Sequence, residues 1–223
     1  MFNLLAVAPF DFKGIFGNFT KRWYYYLALF IAFILIAVYS FTIKKKRCNL
    51  SKTQKIVYTA MFSALSFIAN YFTIKVSDAL QLSLVATVGF FAGYMLGAGL
   101  GFTASFMGDL ICGIIAPFGA YSPIIGIGSG LWGFVPGIIF NSFKGNDYVK
   151  AIISFIVCFI LNSFLVNTLG LSLMYGLSFE SLLALLPYKL ISVVVNAVIC
   201  ILFIPVTYRV LPKDKFPFVR KEK

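Results

Sequence analysis

The sequence predicts an all-α polytopic membrane bundle, with a six-helix core preceded by one extra N-terminal transmembrane helix. Three observations predict it. Apolar stretches of roughly 20 residues follow one another from Trp23 to Pro205, each long enough to cross a hydrocarbon core about 30 Å thick. The composition is that of a chain solvated by lipid, with 61% hydrophobic and only 12% charged residues and a mean hydropathy of +0.94. The basic residues of the short connectors gather on alternate sides.

The first 22 residues lack a basic start ahead of their apolar patch, and no small-residue cleavage pattern follows the first span, residues 23–43. An uncleaved first helix is expected there. The polar, basic run from Lys44 to Lys55 separates it from the rest and is the only internal boundary. The chain thus divides into 1–49 (extracellular segment, extra helix and basic linker), 50–212 (six-helix membrane domain) and 213–223 (basic tail). The remaining spans read as about 54–74, 80–97, 99–116, 122–142, 149–171 and 187–208, the second and third of these nearly merging around Gly97 and Gly99.

Seven spans with the N-terminus outside place 14 of the 19 basic residues on the cytoplasmic side, in the 44–55, 144–150 and 209–223 segments. The outer side receives Lys13, Lys21, Arg22, Lys75 and Lys189. A multi-pass plasma-membrane protein with a cytoplasmic C-terminus follows. The net charge of +12 then faces anionic lipid headgroups, not nucleic acid.

Several chemistries are excluded. With no histidine in the chain there is no Ser-His pair, no histidine acid–base group and no His-based metal site. Cys48, Cys112, Cys158 and Cys200 are scattered and read as buried apolar residues, with no metal or cofactor to hold. No phosphate-cradling Gly-x-x-x-x-Gly-Lys loop is present. The chain is expected to be no enzyme, and any uphill transport must draw on an ion gradient or another subunit.

Gly89, Gly93, Gly97 and Gly101 recur every fourth residue and would form one stripe on an unbroken helix; Gly126, Gly130, Gly133 and Gly137 form a second. Both suit close helix packing. Ala60 and Ala64 share a face near the start of the 54–74 span, with Ser63 offset from it. Taken alone, that pair is either internal packing or a docking surface.

The connection Ile115 to Pro123 carries no charge, two prolines and the aromatics Phe118 and Tyr121. It suits a lid over a flat organic ligand, or a loop lying in the membrane interface. The connection Ser172 to Leu186, with Tyr175 and Glu180, is also mostly apolar.

Asp109 is the only acidic residue well inside a span, where a bare carboxylate costs several kcal/mol. It reads as a ligand contact or as a hydrogen-bond hub. Lys189, at the outer start of the last span, either snorkels to the headgroups or awaits an anionic ligand. Asn162, Asn167 and Asn196 add amides to the last two spans.

From about Leu50 to Pro212 the chain resembles the S components of energy-coupling factor (ECF) vitamin transporters, and among them the folate group. Three stretches carry the resemblance: Ala60-x-x-x-Ala64 after a basic leader; Gly108-Asp109-Leu110 through Gly119-Ala120-Tyr121; and Leu161-Asn162, Leu171 to Gly176 and Leu182 to Ile191, the last containing Leu186-Pro187-Tyr188-Lys189. The resemblance implies a membrane subunit that captures a folate-like vitamin on the outer side, docks through the alanine face with a transmembrane subunit and two ATPases, and tips to deliver its cargo.

Under that implication the pocket is roofed by residues 74–83, 116–123 and 172–187. A pterin ring would lie against Tyr121, Trp132 or Phe118, Asp109 would pair with its amino edge, and Lys189 would meet the glutamate tail. Asn162 and Tyr175 complete the expected set. Two departures stand out: the extra helix at 23–43, and lysine at 189 where folate members of the family usually carry arginine, whose bidentate fork lysine lacks. The same architecture could carry pantothenate, riboflavin, a pyridoxine relative or a queuosine precursor. A stand-alone secondary transporter, or an accessory subunit without a ligand, are the readings outside this class.

Overall fold

Ser51 opens the first described helix with a reciprocal cap. Its hydroxyl accepts from the Gln54 amide at 3.2 Å, while the Gln54 side chain accepts from the Ser51 amide at 3.1 Å. Helix α1 (Lys52–Tyr71) leads to a minimal antiparallel pair, β1 (Ile74–Lys75) and β2 (Gln81–Leu82). Then follow α2 (Val85–Leu96), α3 (Ala98–Ile115), α4 (Pro123–Ser142), α5 (Asp147–Cys158) running into a π-helical segment (Phe159–Val166), and α6 (Leu186–Val210). The computed structural model describes residues 31, 49–75, 81–115, 123–143, 145–166, 186–211 and 216. Of the expected span at 23–43 only Ile31, which is helical, falls among them.

Apart from the two-residue strands, the fold is the helical bundle that the apolar spans predict. Among the described residues three helices are long and apolar enough to cross a membrane: α3, α4 from Ile124, and α6 to Thr207. Two spans differ from expectation. The stretch 80–97 begins as strand β2, so α2 keeps 12 residues and rises only about 18 Å. The stretch 149–171 changes from α to π geometry at Phe159, a wider turn that breaks the regular hydrogen-bond ladder.

Helix α4 is the axis of the bundle. Of its apolar span 72% is buried, against 22% for α6 at the periphery. The exposed face of α6 carries Leu190, Val194, Val198 and Leu202, and that of α5 carries Val149, Ile152, Ile153 and Ile156. In water such faces would be a liability; in a bilayer they are the lipid contact.

Glycine sets how the central helices meet, in a way the four-residue spacing alone misstates. The chain breaks at Gly97, whose φ of +91° lies in the left-handed region that glycine tolerates. The stripe is therefore split, and α3 folds back on α2. A Cβ on Gly101 would lie 2.6 Å from the Cα of Gly93, and one on Gly93 would strike the Gly133 carbonyl oxygen of α4. Gly137 likewise meets the backbone at Ala98. Three helices thus touch backbone to backbone, which only glycine permits.

Around this crossing the core fills with aromatics. Phe90 stacks on Phe155 at 5.3 Å, Tyr94 meets Phe140 edge-on at 4.8 Å, and Trp132 tilts against Phe155 at 5.5 Å. Beyond α6, fully buried Phe216 packs on Tyr58 of α1 at 6.2 Å. Cys112, Cys158 and Cys200 are buried and unbridged, and the Cys158 thiol donates to the Leu131 carbonyl at 3.6 Å.

The crossing makes a direct prediction. Gly93→Ala should destabilise the bundle by about 1–3 kcal/mol or more, as overpacking does. Thr103→Ala, at an exposed position of α3, should leave the melting temperature in detergent nearly unchanged. Equal melting temperatures for the two variants would show that the glycine contact is not tight.

Candidate functional site

The bundle has two chemically different ends. One holds the basic start of α1 and the last turn of α6 with Arg209. The other holds the β1–β2 pair, the starts of α2, α4 and α6, and the ends of α1 and α3; α6 packs directly against β2. We call the second the hairpin end. Most of the polar groups inside the helices gather there.

Asp109 sits near the hairpin end of α3. Asn70, two residues from the end of α1, donates its side-chain amide to Asp109 Oδ1 at 2.6 Å, and the Ser129 hydroxyl of α4 donates to the same oxygen at 3.1 Å. Three helices are thereby tied through one carboxylate oxygen. The other oxygen, Oδ2, receives no donor from the described residues. An ionised carboxylate has about four acceptor sites, so the arrangement spends half of the group on structure and leaves half open. Asp109 is therefore a hub, with capacity left for a ligand.

One residue along α4 from Ser129, Gly128 faces the opposite partner. A Cβ at Gly128 would run into Asn162 Oδ1, so the glycine admits this amide into the bundle. Asn162 belongs to the π-helical segment, is only 6% exposed, and its Oδ1 has no hydrogen-bond partner among the described residues. A buried carbonyl oxygen without a donor is costly, and π turns recur at functional positions for the projection they give a side chain.

Lys189 lies in the first turn of α6. Its ammonium nitrogen is buried and meets no acceptor among the described residues. Snorkelling would bring that nitrogen to the surface, where water or headgroups could satisfy it; here it is turned inward. Deeper in α6, Asn196 is fully engaged: its Oδ1 accepts from the Thr87 hydroxyl at 2.6 Å and the Thr87 amide at 3.2 Å, and its Nδ2 donates to the carbonyls of Ser83 at 2.9 Å and Ser192 at 2.8 Å. Ser83 in turn reaches the Ala69 carbonyl of α1 at 3.4 Å. This network fixes α6 and the start of α2 against α1, and so fixes where Lys189 stands.

Of the residues expected from sequence, Asp109, Asn162 and Lys189 therefore share one end of the bundle. Trp132 lies one turn of α4 below Ser129, is 6% exposed and packs into the aromatic core, a floor beneath the polar layer. Phe118, Tyr121 and Tyr175, as well as Asn167, lie outside the described residues. Ala60 and Ala64 are exposed, whereas Ser63 and Ser66 face inward against Gly108 of α3. So the serines pack α1 to the bundle, and the alanine face is left outward. Asn70, Ser129 and Gly128 were not singled out from sequence. Asn70 closes an apolar span, and Gly128 and Ser129 hide inside a glycine-rich stretch, Gly126-Ile127-Gly128-Ser129-Gly130.

Comparison with known proteins places this geometry. A family model described as "ECF-type riboflavin transporter, S component" matches residues 49–211. Among solved structures, one described as the S component of a bacterial ECF transporter is similar with a TM-score of 0.61 at 17% identity, over 72% of this chain and 99% of that one. Another, FolT bound with folic acid, is similar with a TM-score of 0.57 at 19% identity, over 67% of this chain and 89% of that one. At such identity these neighbours establish the shared fold. No curated protein matches. The family match spans most of the chain, and with the apolar helices it identifies this multi-pass membrane protein as a member of the ECF-type riboflavin transporter S-component family.

Proposed function

We propose that this chain is the substrate-binding subunit of an ECF-type vitamin importer, that it captures folate or a folate derivative at the hairpin end, and that it delivers this cargo by docking to a shared transmembrane subunit and two ATPases. The hairpin end then faces outward, and the basic end faces the cytoplasm, as positive charge near helix ends requires.

The observation that carries this reading is the unequal use of polar groups at one end. Among the described residues Asp109 Oδ2 and Asn162 Oδ1 are acceptors without donors, and the buried Lys189 ammonium has no acceptor. A pterin edge offers neighbouring amino and ring N–H donors, which suit a carboxylate, and the glutamate tail of folate offers carboxylates to a lysine. Trp132 would floor the ring site, with Phe118, Tyr121 and Tyr175 supplying aromatic walls from the 116–123 and 172–187 connections.

A second reading, riboflavin, is favoured by the description of the matching family. Its ring carries a single N–H between two carbonyls and its ribityl chain is neutral. The ring then offers Asp109 one N–H, with the ribityl hydroxyls as its other donors, and leaves Lys189 with no anion.

Titration of the purified protein with folate and with riboflavin, followed by calorimetry, separates the two. Saturable folate binding is expected, weakened at least about tenfold in Asp109→Asn, since a charge-assisted hydrogen bond is worth about 1.5–3 kcal/mol. Saturation by riboflavin alone would remove the folate reading and keep the importer. Lys189→Ala should weaken folate binding more than Lys75→Ala does; equal, negligible effects would return Lys189 to a packing role.

Docking makes its own prediction. The exposed Ala60 and Ala64 suit close approach of a partner helix. Ala60→Trp and Ala64→Trp should abolish vitamin uptake by cells carrying the complete transporter while leaving vitamin binding to the purified subunit intact. Uptake at the unmodified rate would rule out this face.

A further inference from the structure

Beside the alanine face, α1 and α3 do not close on each other along their outward sides. Between them runs a groove of about 610 Å³, lined by Lys55, Ala60, Ala64 and Phe67 from α1 and by Leu100, Met107 and Ile111 from α3, among others. Its two threonines are apolar toward the groove. Thr59 donates its hydroxyl to the Lys55 carbonyl at 2.7 Å and Thr103 donates to the Gly99 carbonyl at 2.9 Å, so both polar atoms are spent on their own helices.

Two further features say what fills it. The lining runs from Lys55 to Phe67, a rise of about 18 Å, slightly more than the half-thickness of about 15 Å of a hydrocarbon core and so enough to reach from its middle to the headgroups. At its basic end stands Lys55, which pairs with no acid among the described residues, where the one ion pair is Lys150 with Asp147. An apolar channel one leaflet long, ending in an unpaired cation, has the shape and charge of a single phospholipid chain below its phosphate.

We propose that in the undocked protein this groove holds one acyl chain of an anionic phospholipid, with its phosphate on Lys55. The lipid covers the surface that includes Ala60 and Ala64, so a partner helix can reach that surface only by displacing it. That displacement rests on the docking reading; the lipid site itself does not.

The test uses the full chain without its partners, extracted from vesicles of equal parts phosphatidylglycerol and phosphatidylcholine and weighed intact by native mass spectrometry. One retained phospholipid is expected, with phosphatidylglycerol preferred about fivefold, the effect of one lysine near a headgroup. Lys55→Gln should keep one bound lipid and lose the preference. Met107→Trp, which fills the groove, should lose the lipid; should that variant not fold, Thr103→Phe at an exposed position fills the same space.

Retention unchanged in the filled variants would overturn the proposal, as would a preference unchanged in Lys55→Gln. A dimer mass that vanishes in the filled variants would assign the groove to a second copy and overturn it equally. The tryptophan variants at Ala60 and Ala64 report on docking through uptake, so loss of either result leaves the other standing.

Discussion

Backbone contact between α2, α3 and α4 is the constraint from which the rest of this structure follows. Gly93, Gly101, Gly133 and Gly137 let three helices meet without intervening side chains. In a bilayer there is little hydrophobic drive to press helices together, since lipid tails are as apolar as leucine, so close dispersion contact and weak Cα–H···O bonds must supply the association. The crossing draws α4 to the centre, where it is mostly buried, and forces α1, α5 and α6 to the rim, where they face lipid. It also explains why the aromatic core is packed on the other face of α2: the volume that glycine leaves out on one side is restored by Phe90, Tyr94 and Phe155 on the other.

Above that crossing the bundle changes character. Polar side chains inside hydrocarbon are tolerated only when paired, and the pairs here are made between helices: Asn70 and Ser129 on Asp109, and Thr87 and Ser83 on Asn196. These bonds hold the hairpin end in register. Asn162 Oδ1 and Lys189 Nζ, which have no partner among the described residues, are held in place by the same packing. Under the proposed function, a site preorganised in this way would spend little of its affinity on ordering its own side chains.

The helices and the charged residues within them are legible in the sequence because each rests on a local signal. Apolar length reports a span, and a charge within one reports a constraint, so Asp109 and Lys189 stood out at once. What was not legible depends on how spans cross. The spacing of Gly89, Gly93, Gly97 and Gly101 suggested one stripe, but the break at Gly97 turns Gly101 back onto Gly93, a tertiary event that periodicity does not encode. Asn70 and Ser129 were hidden for a related reason: a neutral polar residue in a span carries no mark of its partner. The π turn that presents Asn162 leaves no trace in an apolar run such as Phe159-Ile160-Leu161-Asn162.

The proposed function depends on the hairpin end receiving the vitamin against Asp109. The most direct measurement is a structure of the protein determined with its bound vitamin. The account predicts the heterocycle above Trp132, with an N–H donor within hydrogen-bonding distance of Asp109 Oδ2 and an anionic group at Lys189. A hairpin end filled solidly by its own side chains, with the vitamin elsewhere, would contradict it.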